Sequence, residues 1–197
     1  MLRYSLLVLA CCSLAHAEEG FKPLFDGKTL NGWDGDPRVW KAAGGEIVGS
    51  TEGVVLKENT FLIYNREFGD FVLRVKMKLR NHNSGIQFRS EALPNWVMRG
   101  YQADAAEDNW WGGIYDEKGR GVLVNGWKGK AETVVKRGDW NDYEISCKGD
   151  LIELSVNGLK TASLKDAVKL KGLIGFQVHQ GPPMEVRFKD VRIKELP

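Results

Sequence analysis

The chain has 197 residues, with 28 Lys and Arg against 26 Asp and Glu and a net charge of +2. No basic stripe runs through it, which argues against a nucleic-acid partner, and the length suits one sizeable domain. Seven Trp and three Cys leave two questions: what the indoles stack on and what the thiols do.

Residues 1–17 read as a signal peptide. Arg3 supplies a positive start, "YSLLVLACCSLA" an apolar run, and Ala15-His16-Ala17 a small-x-small cleavage site. The mature domain is then expected over residues 18–197, exported to the periplasm or the extracellular space. The apolar run is too short for a membrane span. A lipoprotein signal is the alternative, because "VLAC" sets a Cys behind small and apolar residues. Cleavage removes Cys11, Cys12 and His16 and leaves Cys147 alone. That excludes a disulfide framework and a Cys-based zinc site. Its spacing of two from Tyr143 and Ile145 marks Cys147 as a core thiol.

Downstream the hydrophobic period is two, the period of strands. "DFVLRVKMKLR" alternates Phe71, Leu73, Val75, Met77 and Leu79 with Arg74, Lys76, Lys78 and Arg80. His82, in "RNHNSG", reads as a turn residue. "SGIQFRS" turns Ile86 and Phe88 inward and Gln87 and Arg89 outward. "YQADA" does the same with Tyr101, Ala103 and Ala105 against Gln102 and Asp104. "AEDNWWGG" clusters Glu107, Asp108 and Asn109, either a Ca²⁺ loop or a solvated acidic one. If this stretch is strand, the neighbours Trp110 and Trp111 point to opposite faces, one to the core and one to a sugar platform. "IYDEKGRG" is a polar hairpin turning at Lys118-Gly119. "DYEISCKGDLIELSVNGLKTASL" reads as three strands, turned at Gly149-Asp150 and Asn157-Gly158. "GLIGFQVHQ" buries Ile174, Phe176 and Val178 and exposes Gln177 and His179. "MEVRFKDVRIKEL" shifts phase, which predicts a bulge near Asp190.

No amphipathic helix interrupts these segments. An all-β antiparallel sandwich of about ten to twelve strands follows. Its core is expected to include Leu73, Val75, Phe88, Tyr143, Ile145, Leu154, Ile174 and Phe176. Gln87, Arg89, Gln102, Asp104, Gln177 and His179 are better suited to holding a ligand than to facing plain solvent. Their strands are expected to share one concave sheet. Asp104 is open to three readings: a base, a metal ligand, or the partner of Arg89.

"FKPLFDGKTLNGW", "NSGIQFR", "GYQADA", "WGGIYDEKGRG" and "GFQVHQGPPMEVRFKDVRIKEL" occur in that order between Phe21 and Leu196. Together they resemble the 3-keto-disaccharide hydrolase domain family. The resemblance implies a concanavalin A-like jelly roll, related to lectins and laminarinase-type glycosidases. It implies glycosides oxidised at C3 as substrates, supplied by a partner sugar 3-dehydrogenase. It also raises Tyr115, Glu117 and Arg120 to pocket residues. Laminarinase-type enzymes carry acids at i, i+2 and i+4 of one strand, whereas here those positions are Gln102, Asp104 and Ala106. One carboxylate is too few for ordinary retaining chemistry. A C3 ketone makes one base sufficient, because it acidifies the C2 proton and lets the C1 substituent leave by elimination, with water adding afterwards. The expected catalytic residues are His179, Asp104 and Glu117. The expected substrate-binding residues are Gln87, Arg89, Gln102, Trp110, Trp111, Tyr115, Arg120 and Gln177. A divalent ion on His179 and a carboxylate is one possible cofactor. A non-catalytic, lectin-like binding module is the alternative function.

Overall fold

The computed structural model describes residues 19–107 and 109–197, so the expected signal peptide and Asp108 lie outside the described residues. The strands are β1 (Lys22–Pro23), β2 (Trp33–Asp34), β3 (Trp40–Ala43), β4 (Glu46–Ser50), β5 (Thr60–Tyr64), β6 (Phe71–Leu79), β7 (Asn83–Leu93) and β8 (Val97–Ala106). They continue as β9 (Ile114–Glu117), β10 (Gly121–Val124), β11 (Asn141–Lys148), β12 (Leu151–Val156), β13 (Leu159–Lys165), β14 (Leu173–Val178) and β15 (Glu185–Glu195). A 3₁₀ turn at Ala131–Thr133 is the one helical element among the described residues. The excess over the expected strand number lies in pieces of two to four residues, such as β1, β2, β9 and β10. They are too short to show alternation in the sequence.

The strands form two antiparallel sheets. The first runs β13-β12-β11-β6-β15-β4-β3, with β1 on β15; the second runs β10-β9-β8-β7-β14-β5-β2. Both turn inner faces to one core, which makes the architecture the expected jelly-roll sandwich. β6 alternates buried and half-buried residues along its whole length. Leu73, Val75, Phe88, Tyr143, Ile145, Leu154, Ile174 and Phe176 are all buried, as is Cys147, whose thiol burial pushes up to about 12. Phe176 of the second sheet stacks on Phe188 of the first at 4.0 Å and on Trp33 at 4.9 Å. Asn157 and Gly158 take φ of 50° and 82°, the left-handed pair that a two-residue hairpin requires. Asp190, at φ 51°, sits in a register shift between Lys189 and Arg192 that returns Val191 and Ile193 to the core. Among the described residues no helix is long and apolar enough to cross a membrane.

A second bulge shapes the site. The β7–β8 register shifts between Phe88 and Glu91, with Arg89 at φ 45° and Gly100 opposite at φ 135°. A side chain on Gly100 would strike Ser90. Beyond this bend the hairpin lies over the outer face of the second sheet. Met98 packs there with Phe61 and Ile63 in a small second core, and the Phe61 N–H donates to the Trp96 carbonyl at 2.8 Å. Gly175, which has no side chain, leaves the space that the Met98 sulfur fills. One end of the outer face thereby gains a wall.

The bulge also overturns the expected direction of Arg89. Simple alternation points it at the groove. The left-handed residue swings it instead toward the end of the other sheet. There it is fully buried and donates to the Gly69 carbonyl at 2.9 Å, the Gly149 carbonyl at 2.8 Å and Asp70 Oδ1 at 2.8 Å. Its ion-pair partner is therefore Asp70, not Asp104.

Truncating the aromatic bridge tests this packing. Phe176→Ala is expected to lower unfolding free energy by about 3–5 kcal/mol, read as a shift of the urea midpoint with an unchanged slope.

Candidate functional site

A cavity of about 250 Å³ opens on the outer face of the second sheet. Gln102 and Asp104 of β8, Tyr115 and Glu117 of β9, and Gln177 and His179 at the end of β14 line it, with Asn59, Asn83, Trp110 and Val122. Strand parity explains the convergence, since residues two apart share a face. Cross-strand register explains the opening. Gly85 pairs with Asp104 on one side, and the antiparallel register of β14 with β7 carries Gln177 beside it on the other. With strands about 4.8 Å apart, Gln177 and Asp104 flank Gly85 with backbones roughly 10 Å apart. The Gln102 side chain lies across Gly85, where an added Cβ would collide with it.

Asp104 is the most perturbed acid facing this cavity. Burial pushes its carboxyl up to about 7; hydrogen bonds from Gln102 and the Ala105 backbone oppose that rise, and the nearby Glu117 charge adds to it. Behind it runs a chain of amides. Ser90 Oγ donates to Gln87 Oε1 at 2.6 Å, Gln87 Nε2 to Gln102 Oε1 at 3.0 Å, and Gln102 Nε2 to Asp104 Oδ1 at 3.2 Å. The chain engages Oδ1. Tyr143 holds the backbone from beneath, its hydroxyl donating to the Asp104 carbonyl at 2.5 Å.

His179 is set by a backbone carbonyl. Its Nδ1 lies 2.6 Å from the Gln180 oxygen. A carbonyl only accepts, so Nδ1 carries the hydrogen, and the neutral ring keeps its lone pair on Nε2. His82 Nε2 approaches the same oxygen at 3.0 Å, with the two rings edge to face at 4.8 Å. The turn residue His82 thus buttresses His179. Asn59 Nδ2 donates to Glu117 Oε1 at 3.1 Å, and Asn59 Oδ1 accepts the Gln180 N–H at 3.1 Å. One amide thereby ties β9 to the segment that orients His179. Glu117 lies opposite Gly100, four residues along β8 from Asp104. Their backbones stand about 13 Å apart, so the two carboxyls are not a matched glycosidase pair built on one strand.

Of the expected binding residues, Gln102, Trp110, Tyr115 and Gln177 line the cavity, and four others do not. Arg89 is turned away as described. Gln87 is fully buried behind Gln102 and acts through it. Trp111 is the core member of its pair, stacked on Tyr143 at 6.0 Å, while Trp110 is exposed at the rim. Arg120 is held by Asp116 and Asp166, each at 2.5 Å, because Asp116 points opposite to Tyr115 and Glu117 and draws the guanidinium to the far side. Asn59, Asn83 and Val122 escaped sequence reading: Asn59 comes from a loop, and its partner Glu117 is 58 residues away. The Glu107 carboxylate accepts the His82 N–H at 3.1 Å. Among the described residues no three His, Cys, Asp or Glu side chains converge on a metal position. Asp104 Oδ1 and His179 Nδ1 are already engaged within the protein. No step is derived through a divalent ion.

A family model for the 3-keto-alpha-glucoside-1,2-lyase-like domain matches residues 20–194. The match sets the chain among carbohydrate-directed, glycosyl-hydrolase-like domains. Among solved structures, it is similar to a protein from Parabacteroides distasonis ATCC 8503 described as a "putative glycosyl hydrolase". That pair has a TM-score of 0.67 and 21% identity, over 91% of this chain and 95% of the other. It is also similar to the carbohydrate-binding module CBM66 from Bacillus subtilis, with a TM-score of 0.64 and 14% identity, over 83% of this chain and 96% of that one. A Bacillus subtilis protein with a galectin-like fold gives a TM-score of 0.61 and 13% identity, over 84% and 90% of the respective chains. At these identities the likeness is one of fold. No curated protein sequence matches the chain.

The raised Asp104 carboxyl carries a stability signature. Its folded value of about 7 lies above the ordinary 3.8, so the folded state holds the proton more tightly. Its contribution to stability is full below pH 3.8 and is lost as pH rises toward 7. Asp104→Asn is therefore expected to be more stable than the wild type at pH 8, by up to about 4 kcal/mol. The two should converge near pH 4, as read by urea unfolding at both pH values.

Proposed function

The chain belongs to the 3-keto-alpha-glucoside-1,2-lyase-like domain family, and from that premise we propose that its cavity cleaves glycosides oxidised at C3. The observation that carries the proposal is the pairing of two proton carriers in one cavity. His179 keeps a bare Nε2, and Asp104 holds a proton near neutral pH. His179 Nε2 removes the C2 proton, and the C–H electron pair becomes the C2–C3 double bond of an enolate. The enolate collapses to restore the C3 ketone and form a C1–C2 double bond as the C1–O bond breaks. Asp104 Oδ2 gives its proton to the departing oxygen. Water adds across the new double bond afterwards if the product is a free 3-keto sugar. Such a pair supplies acid and base catalysis to opposite ends of one elimination. Trp110 offers a ring face at the rim, and Gln102 holds Asp104 oriented. A sugar 3-dehydrogenase must supply the substrate, and export through residues 1–17 would place the reaction outside the cytoplasm.

Two substrates separate the roles. With a 3-keto-disaccharide, His179→Ala and Asp104→Asn are each expected to lower turnover by about 10²-fold or more. With a nitrophenyl 3-keto-glucoside, whose leaving group needs no proton, Asp104→Asn should recover near wild-type turnover and His179→Ala should not. The wild-type rate on the disaccharide should fall above about pH 7, as Asp104 ionises, and this limb should vanish with the nitrophenyl substrate. Equal rates on oxidised and unoxidised disaccharides would sink the mechanism. Glycan binding without turnover of either would make the protein a lectin-like module.

A further inference from the structure

Gln177 is fully buried, yet neither its amide nitrogen nor its carbonyl oxygen has a hydrogen-bond partner among the described residues. The neighbouring amides are occupied: Gln87 and Gln102 pair with each other, and Asn59 ties Glu117 to the Gln180 backbone. Gln177 is held only through its backbone, in register with Phe61 and with its carbonyl accepting Ser84 Oγ at 2.7 Å. Its side chain lines the cavity. A buried polar group left unpaired costs about 1–3 kcal/mol. Such a group facing a cavity is a recognition element awaiting its complement.

Register decides what that complement is. Gln177 and Asp104 flank Gly85 from opposite sides, and His179 stands two residues beyond Gln177 on the same side of its strand, about 7 Å away along the backbone. A sugar ring placed in the cavity they line, over the Gln102 amide, with its C1 oxygen at Asp104 and its C2 hydrogen at His179, brings C3 toward Gln177. We propose that Gln177 reads the oxidised carbon: its N–H donates to the C3 ketone oxygen and holds the enolate charge, while its carbonyl accepts the neighbouring C4 hydroxyl. This inference rests on the elimination reading above and names the group that separates an oxidised from an unoxidised sugar. A donor aimed at the oxygen where charge develops stabilises the transition state more than the ground state.

The test uses the full-length protein with Gln177→Met, which keeps length and removes both hydrogen bonds, and Gln177→Glu, which replaces the donor with an acceptor. Turnover of a 3-keto-disaccharide is expected to fall about 10²–10³-fold in the Met variant and further in the Glu variant. Solvent deuterium exchange at C2 should fall in parallel, since both pass through the enolate. A second measurement is independent of turnover. A ¹³C3-labelled 3-keto-glucoside bound to His179→Ala should show its carbonyl stretch shifted below that of the free ketone, and the shift should vanish in His179→Ala/Gln177→Met. Met-variant rates within about twofold of the wild type, or an unshifted carbonyl in the bound complex, would overturn the assignment. Wild-type inertness toward all 3-keto-glycosides would overturn the elimination reading and this assignment together. Wild-type turnover with an unaffected Met variant would overturn this assignment alone.

Discussion

The hydroxyl of Tyr143 crosses the sandwich and fixes the strand that carries the site. Tyr143 belongs to β11 in the sheet without the cavity, yet its oxygen donates to the Asp104 carbonyl at 2.5 Å and accepts the Gly112 N–H at 2.6 Å. Burial drives its pKa upward, so the phenol stays a neutral donor at any pH the protein meets. Trp111 covers it. The loop closes on the same point: the Asp104 N–H donates to the Gly113 carbonyl at 3.0 Å, and Gly112, at φ 77°, passes against Thr161 where no side chain would fit. The rim indole of Trp110 and the carboxyl of Asp104 therefore share one anchor in the core. Either can shift only if the contact between the two sheets shifts as well.

This anchor explains why the site was partly legible in the sequence. Asp104 and Gln102 stand opposite Ala103 and Tyr101 because a strand has a period of two, and that period is visible without coordinates. The same rule places Gln177 opposite Phe176, whereas Trp110 and Trp111 part in the loop between β8 and β9, where no strand period applies. It fails where the period is interrupted. At Arg89 a single left-handed residue reverses direction, and nothing in "SGIQFRS" announces it, because Arg is not a residue that favours positive φ. Asp190 sits at an equally left-handed position and was legible, since the hydrophobic phase changes on either side of it. At Arg120 the failure is different: parity along β9 separates Asp116 from Tyr115 and Glu117, but the competing partner Asp166 is 46 residues away. Asn59 and His82 were hidden for the same reason, since their roles exist only in contacts that folding creates.

The misplaced Arg89 has its own consequence. A guanidinium fully buried on two carbonyls and one carboxylate holds the bulge where it is. The bulge aims the β7–β8 arm over the outer face, and the arm brings Met98 onto Phe61 and Ile63. A flat sheet would leave its polar residues in open solvent. The bent one gives them a wall. Arg89 thus shapes the outer face from a distance, by holding the bend that carries the wall.

The sandwich architecture serves binding modules and enzymes alike, so it cannot choose between them; the groups of the cavity are what the proposed reaction rests on. A binding site for neutral sugar hydroxyls is best served by groups whose charge does not change, with their hydrogen bonds already directed. A carboxyl at about 7 is a poor fixed acceptor, because it is half protonated under ordinary conditions. It is a good proton carrier for the same reason. The cavity also keeps an amide unpaired at Gln177 and a ring nitrogen bare at His179, while Gln87, Gln102 and Ser90 are tied to one another and Asn59 ties Glu117 to the Gln180 backbone. Three groups of one cavity are thus left in unstable or uncommitted states beside amides that are paired. Folding alone would relieve each of them by a small substitution such as Asn at 104 or Leu at 177. Their concentration on one face is what the proposed elimination requires.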